Sequence, residues 1–217
     1  MNIETKIQNF LMREKGINID ISFRCPLECP RCQRQTSFTN HGKKVYGYDL
    51  SLSEIDKLSN FYKKFDFCGQ LSDPIHHPNF PEILNLLYKK GVRCDIHNAA
   101  SQKSLDYYIK CWEANPNAYW IFAIDGLPKD SHKYRINQDG QKLFEIMCES
   151  KKYLKNTPLW QYIVFSYNEN DIEEAKELAK KNGVYFLRLQ SSRWLGDDDP
   201  YKPKNEKLVL DAKNKTQ

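Results

Sequence analysis

Cys25, Cys29 and Cys32, in the run Arg24-Cys-Pro-Leu-Glu-Cys-Pro-Arg-Cys32, put three thiols on one short loop directly after an alternating apolar stretch. Thiolates at this spacing suit an iron-sulfur cluster. Such clusters usually take four cysteine ligands, so three leave one iron with a coordination position open to a substrate or cofactor. Seven cysteines placed at random in 217 residues would give C-x3-C-x2-C only about 1% of the time, which argues against accident. The competing readings are a three-cysteine zinc loop or unrelated buried thiols. Zinc loops prefer C-x2-C pairs and a fourth Cys or His at similar spacing, and none follows downstream.

The cysteine spacing resembles the signature of the radical S-adenosylmethionine (SAM) superfamily, C-x3-C-x2-C on the loop after the first barrel strand. Two further segments carry the resemblance. Phe67-Cys-Gly-Gln-Leu-Ser-Asp-Pro-Ile-His-His-Pro-Asn-Phe80 is similar to the family's second-strand segment, with Leu71-Ser72-Asp73-Pro74 in the places of Gly-Gly-Glu-Pro. Phe122-Ala-Ile-Asp-Gly-Leu127, followed by His132 and Arg135, is similar to a fourth-strand block common in peptide-modifying members. Together the matches run from about Ile17 to Leu189.

The resemblance implies that Cys25, Cys29 and Cys32 bind three irons of a [4Fe-4S] cluster and that SAM takes the fourth. Reduction by an electron donor such as flavodoxin or ferredoxin would then yield a 5′-deoxyadenosyl radical that abstracts hydrogen from the substrate. Asp73 is the implied partner of the methionine ammonium, through a charge-assisted hydrogen bond, with a surface Asp-Pro turn as the alternative. Ser72, where Gly is usual, is expected to alter the backbone approach to SAM. Asn98 matches a segment that lines the SAM pocket, or is a turn former. Asp125 is a candidate for the ribose hydroxyls, or a loop cap beside Gly126. Arg135 is a candidate for a forked contact with the SAM carboxylate, or a surface ion pair. Arg31 stands where relatives have an aromatic. Asn168 and Gln190 also lie at strand exits, without a Gly-rich pattern to support them.

His76 and His77 are adjacent and so point in different directions, and the helix entrance accounts for them. His41, His97 and His132 are scattered and unsupported as ligands. Cys68, Cys94, Cys111 and Cys148 read as free thiols in or beside strands and helices.

Positioning these groups requires an alternation of strands and helices, and the chain supplies one. Strands are expected at Ile17–Phe23, Lys64–Cys68, Val92–His97, Tyr119–Ile124, Trp160–Tyr167 and Val184–Gln190. The first helix starts near Ser51, where Ser51-Leu-Ser-Glu54 fits a capping box. The second buries Ile83, Leu84, Leu87 and Tyr88 and stops at Gly91. The third carries Leu105, Tyr108, Ile109 and Trp112; the fourth runs from Gln141 to Leu154 and the fifth from Asp171 to Lys181. Six βα units are too few for a closed eightfold barrel and match the α/β open (βα)6 partial TIM barrel with a parallel sheet that the resemblance implies.

Residues 1–192 form the expected core domain and 193–217 a polar C-terminal tail, packed loosely or over an edge, whose apolar anchors are Trp194 and Leu208–Leu210. Many relatives continue here into a Cys-rich auxiliary domain, and no cysteine follows Cys148.

The net charge of +5, from 33 basic and 28 acidic residues, is mild and spread. A nucleic-acid surface is therefore unsupported. No apolar run reaches a membrane span, and the first 16 residues lack a signal-peptide core, so a cytoplasmic location is expected. The odd cysteine count excludes a complete disulfide framework. The expectation is a radical SAM enzyme of unknown substrate, peptide or protein favoured. The alternatives are a nucleotide- or nucleobase-modifying enzyme and a non-catalytic iron-sulfur or zinc-binding module.

Overall fold

The computed structural model describes residues 15–42, 47–191 and 194–209. Six parallel strands, β1 (Gly16–Asn18), β2 (Lys64–Phe67), β3 (Arg93–Asn98), β4 (Tyr119–Ala123), β5 (Leu159–Ile163) and β6 (Tyr185–Leu189), pair in chain order. Among the described residues β1 and β6 are not paired with each other, so the sheet is open. Its architecture is that of a partial TIM barrel.

Between the strands lie α1 (Gln33–His41), α2 (Leu52–Phe61), α3 (Phe80–Lys89), α4 (Leu105–Ala114), α5 (Gly140–Ser150) and α6 (Ile172–Lys181). The start of α2 follows from its sequence. Ser51 accepts from the Glu54 N–H while Glu54 returns a bond to the Ser51 N–H, completing the capping box. Helix α3 gives way at Gly91, whose φ of 64° is the left-handed conformation a helix end requires.

Strand side chains alternate between the two faces. Phe65, Phe67, Trp120, Phe122 and Trp160 face the helices and are fully buried. Trp120 sits within ring-contact distance of Phe80, Tyr108 and Trp112, which stitches β4 to α3 and α4. The alternate residues, among them Asp66, His97 and Gln161, occupy the concave face and leave it polar.

Several boundaries differ from expectation. The first strand ends at Asn18 rather than Phe23; one more backbone bond joins the Ile19 N–H to the Asp66 carbonyl, and the Asp20 carboxylate then accepts from the N–H groups of Gln70, Leu71 and Ser72. Helix α1, directly after Cys32, was not expected; its sequence, Gln33-Arg-Gln-Thr-Ser-Phe-Thr-Asn-His41, has no buried residue to create an apolar period. The fifth strand stops at Ile163, where Asn168 folds back on the Phe165 N–H and the Ile163 carbonyl. Tyr88 and Leu105 are each 39% exposed, at the margins of their helices rather than in the core.

Residues 194–209 pack against the rest of the fold. Trp194 and Tyr201 pack on Phe165, and Tyr201 meets Tyr134 edge-on at 5.2 Å. Asp199, with no exposed side-chain surface, pairs with Arg31 at 3.0 Å. Leu208 packs against the core, while Arg193 and Leu210 fall outside the described residues. No helix among the described residues is long and apolar enough to cross a membrane.

Candidate functional site

A cavity of about 270 Å³ opens where the strands of this sheet end, and Cys25, Cys29 and Cys32 all line it, together with Ser72, Asp73, Asn98 and Arg135. Ligands gather at this end of parallel sheets because the loops there vary above a rigid scaffold. The cysteine loop is held from both sides. The Arg24 carbonyl accepts from the Asp73 N–H at 2.9 Å, and the Glu28 N–H donates to the Ile136 carbonyl at 3.2 Å. Cys32 then serves as the N-cap of α1, with its carbonyl accepting from Thr36.

Burial pushes the Cys25 thiol up to about 12, and the nearby Asp73 carboxylate adds to the shift. Burial also raises Cys29, opposed by the Arg135 guanidinium. These thiols therefore stay protonated until a metal displaces the proton. A single zinc ion would need its sulfur ligands about 3.8 Å apart, from the 2.3 Å bonds of a tetrahedral site. Cys25, Cys29 and Cys32 do not draw together to within 4.8 Å, the separation met by another trio, Asp66, Cys68 and His97. Three thiols on one loop at the cavity are a donor set that fits three irons of a cluster.

Asp73 is 3% exposed and organises two loops at once. Its Oδ2 accepts from the Ala99 and Ala100 N–H groups at 2.7 and 2.8 Å and from Asn98 Nδ2 at 3.2 Å. Its Oδ1 holds only two longer contacts, with Asn98 Nδ2 and the Ile75 N–H, both at 3.3 Å. Burial pushes this carboxyl up, and the Ala99 and Ala100 donors pull it back toward the charged form. Oδ1 thus keeps acceptor capacity for a ligand cation.

Asn98 is fully buried, giving its amide to Asp73 and the Ala100 carbonyl and receiving the Tyr108 hydroxyl at 2.8 Å. Part of its hydrogen-bonding capacity holds Asp73, and the rest ties it to the Ala100 carbonyl and Tyr108. Ser72 likewise spends its hydroxyl, donating to Asp20 Oδ1 at 2.8 Å. Asp20 is a residue sequence reasoning missed, since a lone Asp in a strand-like run carries no signal. The turn it caps needs Gly69, whose φ is 56° and where a Cβ would stand 2.2 Å from the Ser72 carbonyl oxygen.

Asp125 does not line the cavity. Its buried carboxylate accepts from Arg135 Nε at 2.7 Å and from the Ile163 N–H at 2.8 Å. The structure sets Asp125 against Arg135 rather than on the cavity wall. Burial opposes the Arg135 charge, but the Asp125 carboxylate holds its pKa above the ordinary value. With Nε committed to Asp125, the rest of the guanidinium lies beside Cys29 at the cavity that Arg135 lines.

Arg31, between the second and third cysteines, is tied to Asp199 and lies over the Tyr201 ring at 5.7 Å. Asn168 is a buried turn former, and Gln190 donates to the Lys207 carbonyl at 2.8 Å. His77 bonds the Leu50 carbonyl and the Asn79 N–H, a structural use that agrees with its place at the helix entrance.

No family model matches this sequence, and no curated protein matches it. Solved structures do. Streptococcus suis SuiB bound to S-adenosylmethionine aligns with a TM-score of 0.66 at 12% identity, over 92% of this chain and 46% of that one. Native anSMEcpe with bound AdoMet and Kp18Cys peptide gives 0.63 at 15%, over 86% and 55%. Methylornithine synthase (PylB) gives 0.55 at 14%, over 84% and 56%. The chain spans about half the length of these structures. At such identities the likeness is one of fold, the open six-stranded partial barrel described above.

Proposed function

We propose that this chain is a radical SAM enzyme that binds a [4Fe-4S] cluster through Cys25, Cys29 and Cys32 and acts on a peptide or protein. The observation that carries the reading is the meeting of those three thiols with Asp73 and Arg135 around one cavity. When bound, the cluster and SAM supply a 5′-deoxyadenosyl radical that takes a hydrogen atom from the substrate.

The protein's own groups do the holding. The three cysteines give up their protons on ligation. Asp73 Oδ1 accepts from the ammonium of SAM, and the outer guanidinium edge of Arg135 takes its carboxylate in a charge-assisted pair. Asn98 and Ser72 act one step back, fixing Asp73 and the 69–72 turn. Residues 194–209, pinned to Arg31, shield the cysteine loop from solvent on one side, which a reactive radical demands. Electrons come from a flavodoxin- or ferredoxin-type donor.

The peptide class is supported by solved structures of similar fold that contain peptides, SuiB with precursor peptide SuiA and anSMEcpe with Kp18Cys peptide, and by the block from Ile124 to Arg135. Anaerobic reconstitution tests the enzyme reading. About four irons and four sulfides per chain, with dithionite-dependent cleavage of SAM, are expected. A cluster that never cleaves SAM would leave a non-catalytic module, and full iron loading in the Cys25→Ala/Cys29→Ala/Cys32→Ala variant would refute the ligand assignment. Incubation with peptides encoded beside the gene, read by mass spectrometry, tests the substrate class.

A further inference from the structure

We infer that Asp66, Cys68 and His97 form a second metal site, which takes a zinc-class divalent ion on three protein ligands and turns its open position to the cavity. One ligand atom from each residue lies within 4.8 Å of the others, and among the described residues no other three His, Cys, Asp or Glu side chains meet that condition. Sheet geometry builds the trio. Asp66 and Cys68, two residues apart, fall on the same face of β2 and its exit. The parallel register, with Asp66 beside Asp95 and Phe67 beside Ile96, then sets His97 next to Cys68 on that face.

A second observation points to a missing cation. Asp66 Oδ1 is shielded from water and has no hydrogen-bond partner. His97 Nε2 stands 3.4 Å away, an ion-pair distance that acts only if the imidazole carries its second proton, and no hydrogen bond joins the two. A buried carboxylate oxygen with no donor is costly, and a metal ion removes that cost. Lys64, the nearby ammonium, does not fill the role, because it pairs with Asp95 at 2.9 Å.

The donor set selects the metal. One thiolate, one imidazole and one carboxylate are the borderline-soft mixture that suits zinc, and three protein ligands with a vacant fourth position are the pattern of sites that bind an exchangeable group. The ligands already have outer support, Gln161 on the imidazole and Asn18 on the thiol. Cys68 and His97 line the same cavity as Cys25, Cys29 and Cys32. The vacant position therefore faces the chamber assigned to SAM, where a bound ion would anchor a carboxylate or carbonyl oxygen of the substrate. That anchoring role rests on the radical SAM reading; the metal site itself does not.

Cobalt(II) is the probe. In the full-length Cys25→Ala/Cys29→Ala/Cys32→Ala variant, which removes the competing thiols, one equivalent of cobalt should bind with thiolate charge-transfer absorption and tetrahedral d–d bands, and zinc should displace it. Adding Cys68→Ser should abolish the charge-transfer band, and adding His97→Gln should weaken binding by roughly tenfold or more. No saturable cobalt spectrum, or one unchanged by Cys68→Ser, overturns the site. Should the triple variant fail to fold, metal analysis of the reconstituted wild-type protein after zinc exposure and desalting decides. One zinc per chain, lost in Cys68→Ser with iron unchanged, is expected; zinc content equal in both overturns it. Iron content and SAM cleavage report on the cysteine loop and zinc on this trio, so the two readings fail separately.

Discussion

Replacing Asp125 by Asn should destabilise the protein by about 3 kcal/mol, because it strands a buried guanidinium. Asp125 has no exposed side-chain surface, Arg135 has 15%, and their Nε–Oδ2 separation is 2.7 Å. Removing one partner of a buried pair costs about 3–5 kcal/mol. The lower end applies, since the outer edge of Arg135 meets the cavity and water can reach it. The Ile163 N–H bond of 2.8 Å survives, as the Asn amide oxygen still accepts it. The assay is urea unfolding of the cluster-free protein under reducing conditions. With a slope of about 2 kcal/mol/M, the midpoint should fall by about 1.5 M.

A double variant, Asp125→Asn/Arg135→Met, removes the stranded charge and should recover about 2 kcal/mol of the loss. Arg135→Met alone leaves Asp125, whose pKa burial already raises. A carboxyl with a raised folded pKa contributes stability at pH below its unfolded value and loses it as pH rises through the folded one. Arg135→Met should therefore cost more at pH 7 than at pH 5. A loss below about 1 kcal/mol for Asp125→Asn, or strictly additive single costs, would refute the claim that this pair is buried and coupled.

Asp73→Asn should both lower Tm by about 2–8 °C, from roughly 1–2 kcal/mol of charge-assisted bonding lost at Ala99 and Ala100, and weaken SAM by about tenfold; unchanged affinity by calorimetry would remove Asp73 from the site. Burial works against the Asp199 charge, but the N–H groups of Leu195 and Tyr201 and the Arg31 guanidinium hold its carboxyl below the usual range. Its contribution is present above the unfolded value of 3.8 and is lost as pH falls through the lower folded value, so Asp199→Asn should flatten the acid limb of a stability curve; identical limbs would show the pair to be inert. Truncation before Trp194 should lower Tm and raise 5′-deoxyadenosine formed without substrate, because it uncovers Phe165, Tyr134 and Arg31; equal melting and equal rates in both proteins would assign closure elsewhere. Deleting residues 211–217 should change neither.

The sequence by itself determined the alternation of strands and helices, the α2 capping box and the Gly91 stop, because each follows from local periodicity, caps and backbone conformation within a few residues. It also determined that Cys25, Cys29 and Cys32 share a loop, since spacing alone does that. Only the tertiary structure decided what their neighbours do. That Asp125 meets Arg135, and that Ser72 gives its hydroxyl to Asp20, depends on partners 10 and 52 residues away, and pairings across such distances leave no trace in a local pattern. The tail is the same case: it reads as polar, yet Asp199 is buried because Arg31, 168 residues away, is there to meet it. The Asp66, Cys68 and His97 trio was invisible for the same physical reason, since only the register between β2 and β3 sets their side chains on one face.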